Sequence, residues 1–427
     1  MRTRDRATSQ RGAAAPKRFA LVCQHFYPEM VSTGMHMTEL ATRLAELGWQ
    51  IDVYTAKPSW GTDEGDERRV PREMVYQGVR IFRVPSLGSQ QGGMLSKAVS
   101  AVTFAAFVSW ALWRRRGEHP GLVVTTNPPF VGMLGWLFSR LYGRPYLVIV
   151  YDVFPEFAVS LGVLSADSFV TRAWAWVTRQ ILSGAAVNVV IGRDMKDLIK
   201  RKVPSQRHDR IVLIPNWSDE RRVQPVPRGS NAFRREHGLD GKFVVQYAGR
   251  LGEKHSLEPL LDAARLLRDT SVLFQFVGEG AKKPKLQAMM ARYGLTNVQF
   301  LPYQPMSGLA EMLSAPDLAV VCLEGGHTGI SVPSKAYGVI ATGTPILGML
   351  DPAGEIAQMI KETDCGLVLD PNADDVARVI RELMADPARR RALGAAGRQA
   401  FLDKYTLAHA AEAYDAALSS MLKERGI

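Results

Sequence analysis

The chain has 427 residues, of which 46% are hydrophobic and 22% charged, as expected for a globular protein large enough to form two domains. Its three cysteines, Cys23, Cys322 and Cys365, are far apart in sequence, which excludes a disulfide framework and a clustered-cysteine metal site. The formal net charge of +11 favours an anionic partner. Because no helix-turn-helix, zinc-finger or aromatic RNA-binding pattern is present, we expect a phosphorylated substrate or anionic lipid and no nucleic acid.

The first elements predict an α/β fold behind a basic tail. Residues 1–18 are basic and lack the apolar segment of a secretory signal, so we expect them to be disordered. Residues 19–23 are an apolar strand, followed by an opening loop that contains Gly34. A helix is then predicted over about residues 35–47, and a second strand over 51–55.

Residues 98–113 form a run of sixteen residues without a charge, preceded by Lys97 and followed by arginines 114–116. At about 1.5 Å per residue, a helix of this length reaches about 24 Å, which is short of a hydrocarbon core of about 30 Å. The aromatic residues beside the basic run favour a helix lying on an anionic bilayer surface, and a helix covering the domain core is the alternative. The aromatic residues concerned are Phe104, Phe107, Trp110 and Trp113, with Trp174 and Trp176 as an extension of the same surface.

Strands and helices alternate along the rest of the chain. Further strands are predicted at 122–125, 146–150, 187–191, 211–214, 243–248, 273–277 and 317–323. Alternation of this kind predicts a doubly wound parallel sheet in each half, with ligands bound at the carboxyl ends of both sheets. The predicted units are a first domain at 19–217, a polar linker at 218–242, a second domain at 243–406, and a C-terminal helix at 407–427 that packs back on the first domain.

The glycine-rich stretch at residues 325–335 lies between an apolar strand and a helix predicted at 336–342. Glycines such as Gly326 and Gly329 let backbone N–H groups turn toward an anion, and the positive end of a helix attracts it. Ser331 is predicted to cap that helix. The arrangement is typical of a phosphate site, and an ordinary strand-to-helix loop is the alternative.

An ordered set of motifs carries a family resemblance. The set comprises Tyr27-Pro28, Ile214-Pro215-Asn216, Tyr247-Ala248-Gly249-Arg250-Leu251, Phe276-Val277-Gly278-Glu279-Gly280, Asn297-Val298-Gln299-Phe300-Leu301 and Ala341-Thr342-Gly343-Thr344-Pro345. With these motifs the chain resembles retaining glycosyltransferase family 4 over residues 19–415. Tyr151-Asp152-Val153-Phe154-Pro155-Glu156 and Val332-Pro333-Ser334-Lys335 are similar to the branch that builds bacterial colanic-acid, O-antigen and capsule polysaccharides, including fucosyl- and N-acetylfucosaminyltransferases. The resemblance implies two facing Rossmann-like domains, the GT-B architecture, with the active site in the interdomain cleft.

The resemblance implies that Arg250 and Lys254 bind the donor diphosphate, where fixed cations stabilise the charge of the leaving group. A solvated charge pair near Glu253 is the alternative for these two residues. Gly34 approaches the diphosphate from the first domain, unless it is only a turn glycine. Glu279 is expected to help shape the nucleotide pocket, and a turn residue at the end of a strand is the alternative.

Asp152, at the carboxyl end of a first-domain strand, is a candidate to orient the acceptor hydroxyl or take its proton. Glu156 is either a second site residue or a brace for the following helix. The family's two glutamates are missing, since Ile330 and Gly338 occupy their positions. The ribose contact is therefore in doubt, and we expect Ser334, Lys335 or the backbone to provide it.

The sequence predicts an enzyme that transfers a sugar from a nucleotide-diphosphate donor to a polyprenyl-diphosphate-linked saccharide, with no cofactor and no metal. We expect a cytoplasmic protein, peripheral on the inner face of the membrane. An epimerase or hydrolase of the same fold is one alternative. A catalytically inactive binding subunit is another, favoured by the missing glutamates.

Overall fold

The computed structural model describes residues 17–29, 32–58, 70–87 and 93–423. Most of the predicted tail, residues 1–16, lies outside this part of the chain. Arg18 was assigned to the tail but begins the first strand, where its guanidinium donates to Asp52 at 3.0 Å.

The first domain is built on an eight-stranded sheet covered by helices. Its strands are β1 (Arg18–Val22), β2 (Gln50–Ala56), β3 (Glu73–Tyr76), β4 (Val79–Val84), β5 (Leu122–Thr125), β6 (Tyr146–Val150), β7 (Val187–Val190) and β8 (Ile211–Leu213). Its helices are α1 (Ser32–Glu46), α2 (Met94–Arg114), α3 (Gly132–Tyr142), α4 (Glu156–Ser160), α5 (Phe169–Gly184) and α6 (Arg193–Lys202). The strand order is β3-β4-β2-β1-β5-β6-β7-β8, with only β3 antiparallel to its neighbour among these strands. The chain reverses direction across the sheet between β1 and β5, so a crevice forms at their carboxyl ends.

The second domain contains a six-stranded parallel sheet in the order β11-β10-β9-β12-β13-β14. Its strands are β9 (Phe243–Ala248), β10 (Val272–Val277), β11 (Val298–Leu301), β12 (Leu318–Cys322), β13 (Ile346–Met349) and β14 (Gly366–Leu369). Its helices are α8 (Glu258–Leu266), α9 (Lys283–Tyr293), α10 (Leu309–Ser314), α11 (Lys335–Ala341), α12 (Glu355–Thr363), α13 (Ala373–Ala385) and α14 (Pro387–Lys404), preceded by α7 (Ala232–Glu236) and followed by α15 (Leu407–Lys423). The switch point lies between β9 and β12, and the turns that follow these two strands carry most of the candidate donor residues.

The predicted strands are confirmed to within one residue at each end. Parallel strands covered by helices on both faces are apolar throughout, which makes them easy to recognise in sequence. In β6, for example, all five side chains are buried. The two-domain α/β architecture predicted from the alternation is therefore the one observed.

The two segments that connect the domains, the linker and the segment before α15, lie side by side. Ser218, at the start of the predicted linker, pairs with Thr406 just before α15. The second half of the linker folds into α7, whose capping residue Asn231 donates to the Glu311 carbonyl at 2.8 Å. Helix α15 then packs against α1 of the first domain, and its Asp415 accepts from the indole of Trp49, just after α1, at 2.7 Å.

Helix α2 contains the uncharged run and has two apolar sides. Phe104, Val108 and Leu112 are fully buried against the sheet, whereas Trp110 and Trp113 are 55% and 51% exposed. The prediction that Phe104 faces a membrane is wrong, because its spacing from Val108 and Leu112 places it on the core side. None of the helices in the described part of the chain combines the length and apolar character needed to cross a bilayer.

Candidate functional site

The glycine-rich turn between β12 and α11 reaches across the cleft to the first domain. Gly326 and Gly329 have φ values of +88° and +74°, which favour glycine at both positions. The Ile330 carbonyl accepts from the Val153 N–H at 3.0 Å, and Ser331 forms an antiparallel bridge with Asp152. Backbone pairing thus joins the turn to the segment that follows β6.

Asp194, in the first turn of α6, holds the same turn from the first domain. Its carboxylate accepts from the Gly329 N–H at 3.0 Å and from the Glu355 N–H at 3.2 Å. The N–H of Gly329 was predicted to face a phosphate, and in this state it faces a protein carboxylate. A cavity of about 20 Å³ lined by Asp194, Thr328, Ser331 and Glu355 lies here, with room for about one water molecule.

Arg193 strengthens this contact between the domains. Its backbone N–H donates to Glu355 at 2.6 Å and its Nε donates to the same carboxylate at 3.0 Å, while Glu362 binds the other end of the guanidinium. Glu355 is buried, so both charges are partly withdrawn from water and held by charge-assisted hydrogen bonds.

Lys254 lies between the two walls of the cleft. Its Nζ donates to the Ser331 hydroxyl at 3.0 Å and lies 5.0 Å from the centroid of the Phe157 ring, which belongs to the first domain. The prediction that Ser331 caps α11 is wrong, because the helix begins at Lys335 with Ser334 as its N-cap residue. Ser331 instead connects Lys254 to Asp152.

Lys335, the first residue of α11, places a second basic side chain against the end of β9. Its Nζ has no hydrogen-bond partner among the described residues and lies 3.5 Å from the centroid of the Tyr247 ring. Burial lowers the pKa of Lys335 to about 7, with a further contribution from the charge of Lys254. A Cβ at Gly249 would lie 3.2 Å from this nitrogen, so the glycine leaves room for the lysine.

Arg250 and Glu279 lie at the outer edge of the cluster, after β9 and β10. Arg250 is exposed, and its charge opposes the rise in pKa that burial causes for Tyr303. Glu279 pairs with Lys283 at 2.6 Å. A Cβ at Gly280 would lie 2.3 Å from the Leu251 carbonyl oxygen, so only glycine lets the two turns approach this closely.

Gly34 lies in the first turn of α1 rather than in the opening loop, because the helix begins at Ser32. It is buried, and a Cβ there would lie 3.3 Å from the backbone of His25. The neighbouring Ser32 hydroxyl lies 3.1 Å from that of Ser334 in the second domain. The N-terminus of α1 therefore meets the N-terminus of α11.

Glu156 points away from this cluster. It is the first residue of α4, and its carboxylate pairs with Lys202 at the end of α6. This contact matches the alternative role of bracing a helix.

The sequence analysis missed two residues that contribute to the site. Asp194 follows β7 at the carboxyl edge of the sheet, and that position was the available signal. His327 is buried in the glycine-rich turn, and its burial and the charge of Lys254 lower its pKa.

A three-residue cluster of metal-ligand type lies elsewhere, near the amino ends of β1 and β2. It consists of Asp52, Glu118 and His119. The Asp52 carboxylate already accepts two bonds of 2.6 Å from Arg80 and one of 3.0 Å from Arg18. Two guanidinium groups on the central carboxylate do not fit a cation site, and the prediction of no metal stays a prediction.

Comparison with known families matches both halves of the chain. Residues 33–217 match the family described as "Glycosyl transferase 4-like domain". Residues 230–400 match the one described as "Glycosyl transferases group 1".

Similar proteins include the probable glycosyltransferase WbjE of Pseudomonas aeruginosa, 35% identical over 71% of this chain and 75% of that protein. The putative colanic acid biosynthesis glycosyl transferase WcaI of Escherichia coli K12 is 25% identical over 83% of this chain and 88% of its own. Among solved structures, sucrose-phosphate synthase from Thermosynechococcus elongatus superposes with a TM-score of 0.79 at 18% identity, covering 96% of this chain and 100% of that one. Anabaena HepE, solved in complex with UDP and glucose, superposes with a TM-score of 0.72 at 14% identity, covering 95% and 100%. These superpositions support the two-domain GT-B fold.

Proposed function

Because the chain belongs to glycosyltransferase family 4, we propose that it transfers a sugar from a nucleotide-diphosphate donor to a lipid-linked saccharide, with retention of configuration, in bacterial surface-polysaccharide synthesis. The observation that carries this proposal is that Lys254 of the second domain binds Ser331, which bridges to Asp152 of the first domain, while Lys335 lies nearby against Tyr247. The sequence similarity to a colanic acid biosynthesis enzyme favours a polysaccharide product.

The donor diphosphate is proposed to lie against Arg250, Lys254 and Lys335. Departure of the nucleoside diphosphate places negative charge on its β-phosphate, and fixed cations stabilise that charge without reorganising. The buried amino group of Lys335 has no hydrogen-bond partner among the described residues, and a phosphate oxygen would provide one and favour the protonated amine. With three cations available, we propose that the reaction needs no metal ion and no cofactor.

Asp152 is proposed to act on the acceptor. It lies just after β6 and pairs with Ser331, the residue whose hydroxyl accepts from Lys254. A carboxylate here is placed to orient an acceptor hydroxyl or to take its proton as the bond to the sugar forms. Ser334 and Lys335 are proposed to replace the glutamate that is absent at Gly338.

Direct contacts join the two walls of the cleft. The Lys254–Ser331 bond and the Asp152–Ser331 bridge occupy the space between them, and the cavity beside Asp194 holds about one water molecule. We therefore propose that the structure represents a closed state that opens to admit the donor.

The acceptor is proposed to be held at a membrane, which gives the protein a peripheral location on the cytoplasmic face. On α2, the exposed Trp110 and Trp113 lie under arginines, with Arg114 4.8 Å and Arg116 5.5 Å from the respective ring centroids. Indole rings beside arginines suit the interface of an anionic bilayer. The net charge of +11 has the sign that such a surface requires.

A transfer assay tests the proposal. The purified protein is screened against a panel of nucleotide sugars for a rise in melting temperature, since a ligand that binds only the folded state stabilises it. The selected donor is then incubated with and without lipid-linked saccharides, and the anomeric configuration of the product is read by NMR. Acceptor-dependent transfer with retention is expected. Acceptor-free conversion would indicate an epimerase or hydrolase, binding without turnover an inactive subunit, and an inverted product would refute the retaining mechanism.

A further inference from the structure

Four aromatic rings form a continuous row from the surface of the first domain to the cleft, and we call Phe130, Trp174, Phe154 and Phe157 the aromatic ladder. The centroids of Phe130 and Trp174 are 4.6 Å apart. Trp174 and Phe154 stack at 5.4 Å with an interplanar angle of 4°, and Phe154 meets Phe157 edge-on at 5.5 Å. These separations are typical of favourable aromatic pairs. The rings come from three separate segments, before α3, within α5 and after β6.

The outer end of the ladder is continuous with an exposed apolar stripe on α3. Phe130 is 42% exposed, and Met133, Leu137 and Leu141 follow it at helical spacing with exposures of 41%, 41% and 62%. The φ of Phe130 is +74°, a strained left-handed conformation that bulky residues rarely adopt. The fold therefore holds this ring toward the surface despite an energetic cost.

The stripe lies on the same side of the sheet as the tryptophans of α2. The connections β4–α2–β5 and β5–α3–β6 run in one direction across the sheet, opposite to β1–α1–β2. Right-handed crossovers place α2 and α3 on one face and α1 on the other. The outer end of the ladder thus faces the same way as the proposed membrane-binding surface.

The inner end of the ladder reaches the reacting groups. The Phe157 ring lies 5.0 Å from Lys254 Nζ and 6.3 Å from the ring of His327, both in the second domain. Asp152 lies two residues before Phe154 in the same segment. Phe154 and Phe157 are partly exposed.

We propose that the aromatic ladder binds the lipid-linked saccharide acceptor, which rests on the proposed function. The lipid lies against the α3 stripe and Phe130, and the saccharide extends inward along Trp174 and Phe154 until its hydroxyl meets Asp152. The exposed parts of these rings offer apolar surface to the C–H groups of a sugar and to a hydrocarbon chain, and rings that pack on one another form a pre-ordered surface. One surface with an apolar outer end and a charged inner end matches the order of lipid, sugar and reacting hydroxyl in such an acceptor.

Photocrosslinking tests which molecule occupies the ladder without requiring that the acceptor be known. Phe130→p-benzoylphenylalanine is introduced into the full chain, and the protein is irradiated with vesicles of total Gram-negative polar lipid extract that contains polyprenyl-linked saccharides. Val75, exposed on β3 away from the ladder, takes the same substitution as the control. Mass spectrometry of the adduct should show a polyprenyl-linked saccharide at position 130 and none at position 75. Phospholipid adducts alone, or equal labelling at both positions, would overturn the proposal.

A kinetic variant separates this proposal from the proposed function. Trp174→Leu keeps an apolar side chain but removes the flat ring, and should raise the acceptor KM at least tenfold. The shift in melting temperature caused by the donor should stay unchanged, because Trp174 does not touch the donor cations. An unchanged acceptor KM would refute the ladder while leaving glycosyl transfer intact. Absence of transfer by the wild type, with the polyprenyl adduct still present, would refute the proposed function alone.

Discussion

Replacing Lys335 with methionine should change how stability depends on pH. Burial lowers the pKa of this lysine to about 7, whereas the unfolded chain keeps the proton up to about pH 10. Between these values the unfolded state binds more protons than the folded state, so wild-type stability gains from rising pH. For one proton the gain is up to about 1.4 kcal/mol per pH unit, and below pH 7 the folded protein bears the full cost of the buried charge. Lys335→Met removes this contribution.

The difference between wild type and variant isolates the lysine from its neighbours. Tyr247 and Cys322 have pKa values raised by burial, and His255 has a pKa lowered by burial, so other groups also titrate differently in the folded and unfolded states. Lys254 adds a charge of its own. Since all four groups are present in both proteins, their contributions largely cancel in the difference.

The assay is denaturant unfolding of both proteins at pH 6.5, 7.5, 8.5 and 9.5. The free energy of unfolding of the wild type should rise relative to that of Lys335→Met at each pH step above pH 7. Lys361→Met, at an exposed position on α12, is the matched control and should run parallel to the wild type. Parallel curves for Lys335→Met as well would mean that the ammonium is solvated or paired, and would refute the reasoning.

The same lysine should make donor binding depend on pH. If the diphosphate contacts Lys335, the neutral amine takes up a proton on binding, and at pH 8.5 the uptake approaches one per donor molecule. Calorimetry in buffers of different ionisation enthalpy measures this uptake with a nucleotide sugar, whose esterified diphosphate does not titrate near neutrality. Equal uptake by Lys335→Met would place the diphosphate elsewhere.

Three further changes test separate parts of the structure. Arg250→Ala should lower turnover about 10²–10³-fold without altering the melting temperature, because the side chain is exposed, and wild-type turnover would exclude it from the mechanism. Asp194→Ala removes both hydrogen bonds that hold the glycine-rich turn and Glu355, so solution scattering should give a larger radius of gyration, and an unchanged radius would contradict the closed-state interpretation. Trp110→Ser combined with Trp113→Ser should reduce flotation with anionic vesicles at low salt while leaving the unfolding midpoint unchanged, and undiminished flotation would exclude this surface.

The positions of the strands along the chain could be predicted from the sequence for a physical reason. A strand buried on both faces needs an apolar run of four to eight residues, and such runs are visible without any knowledge of tertiary contacts. The turn at Gly326 and Gly329 was found because it follows such a strand, whereas the roles of Arg250 and Lys254 were inferred from the family resemblance. Their convergence in one cleft follows from parallel strands having their carboxyl ends at one edge.

Other features depended on tertiary structure. Phe104 and Trp110 belong to the same uncharged run, and only packing against the sheet decided that the first is core and the second is exposed.

Ser331 satisfied the local pattern of a helix cap, yet the approach of the first domain made it a bridge to Asp152 instead. The bond between Asp194 and Gly329 joins residues 135 positions apart, and the aromatic ladder gathers rings from three segments. Local sequence patterns determine the conformation of a segment, whereas contacts between distant segments depend on how whole elements pack, which is why these features were decided by the fold.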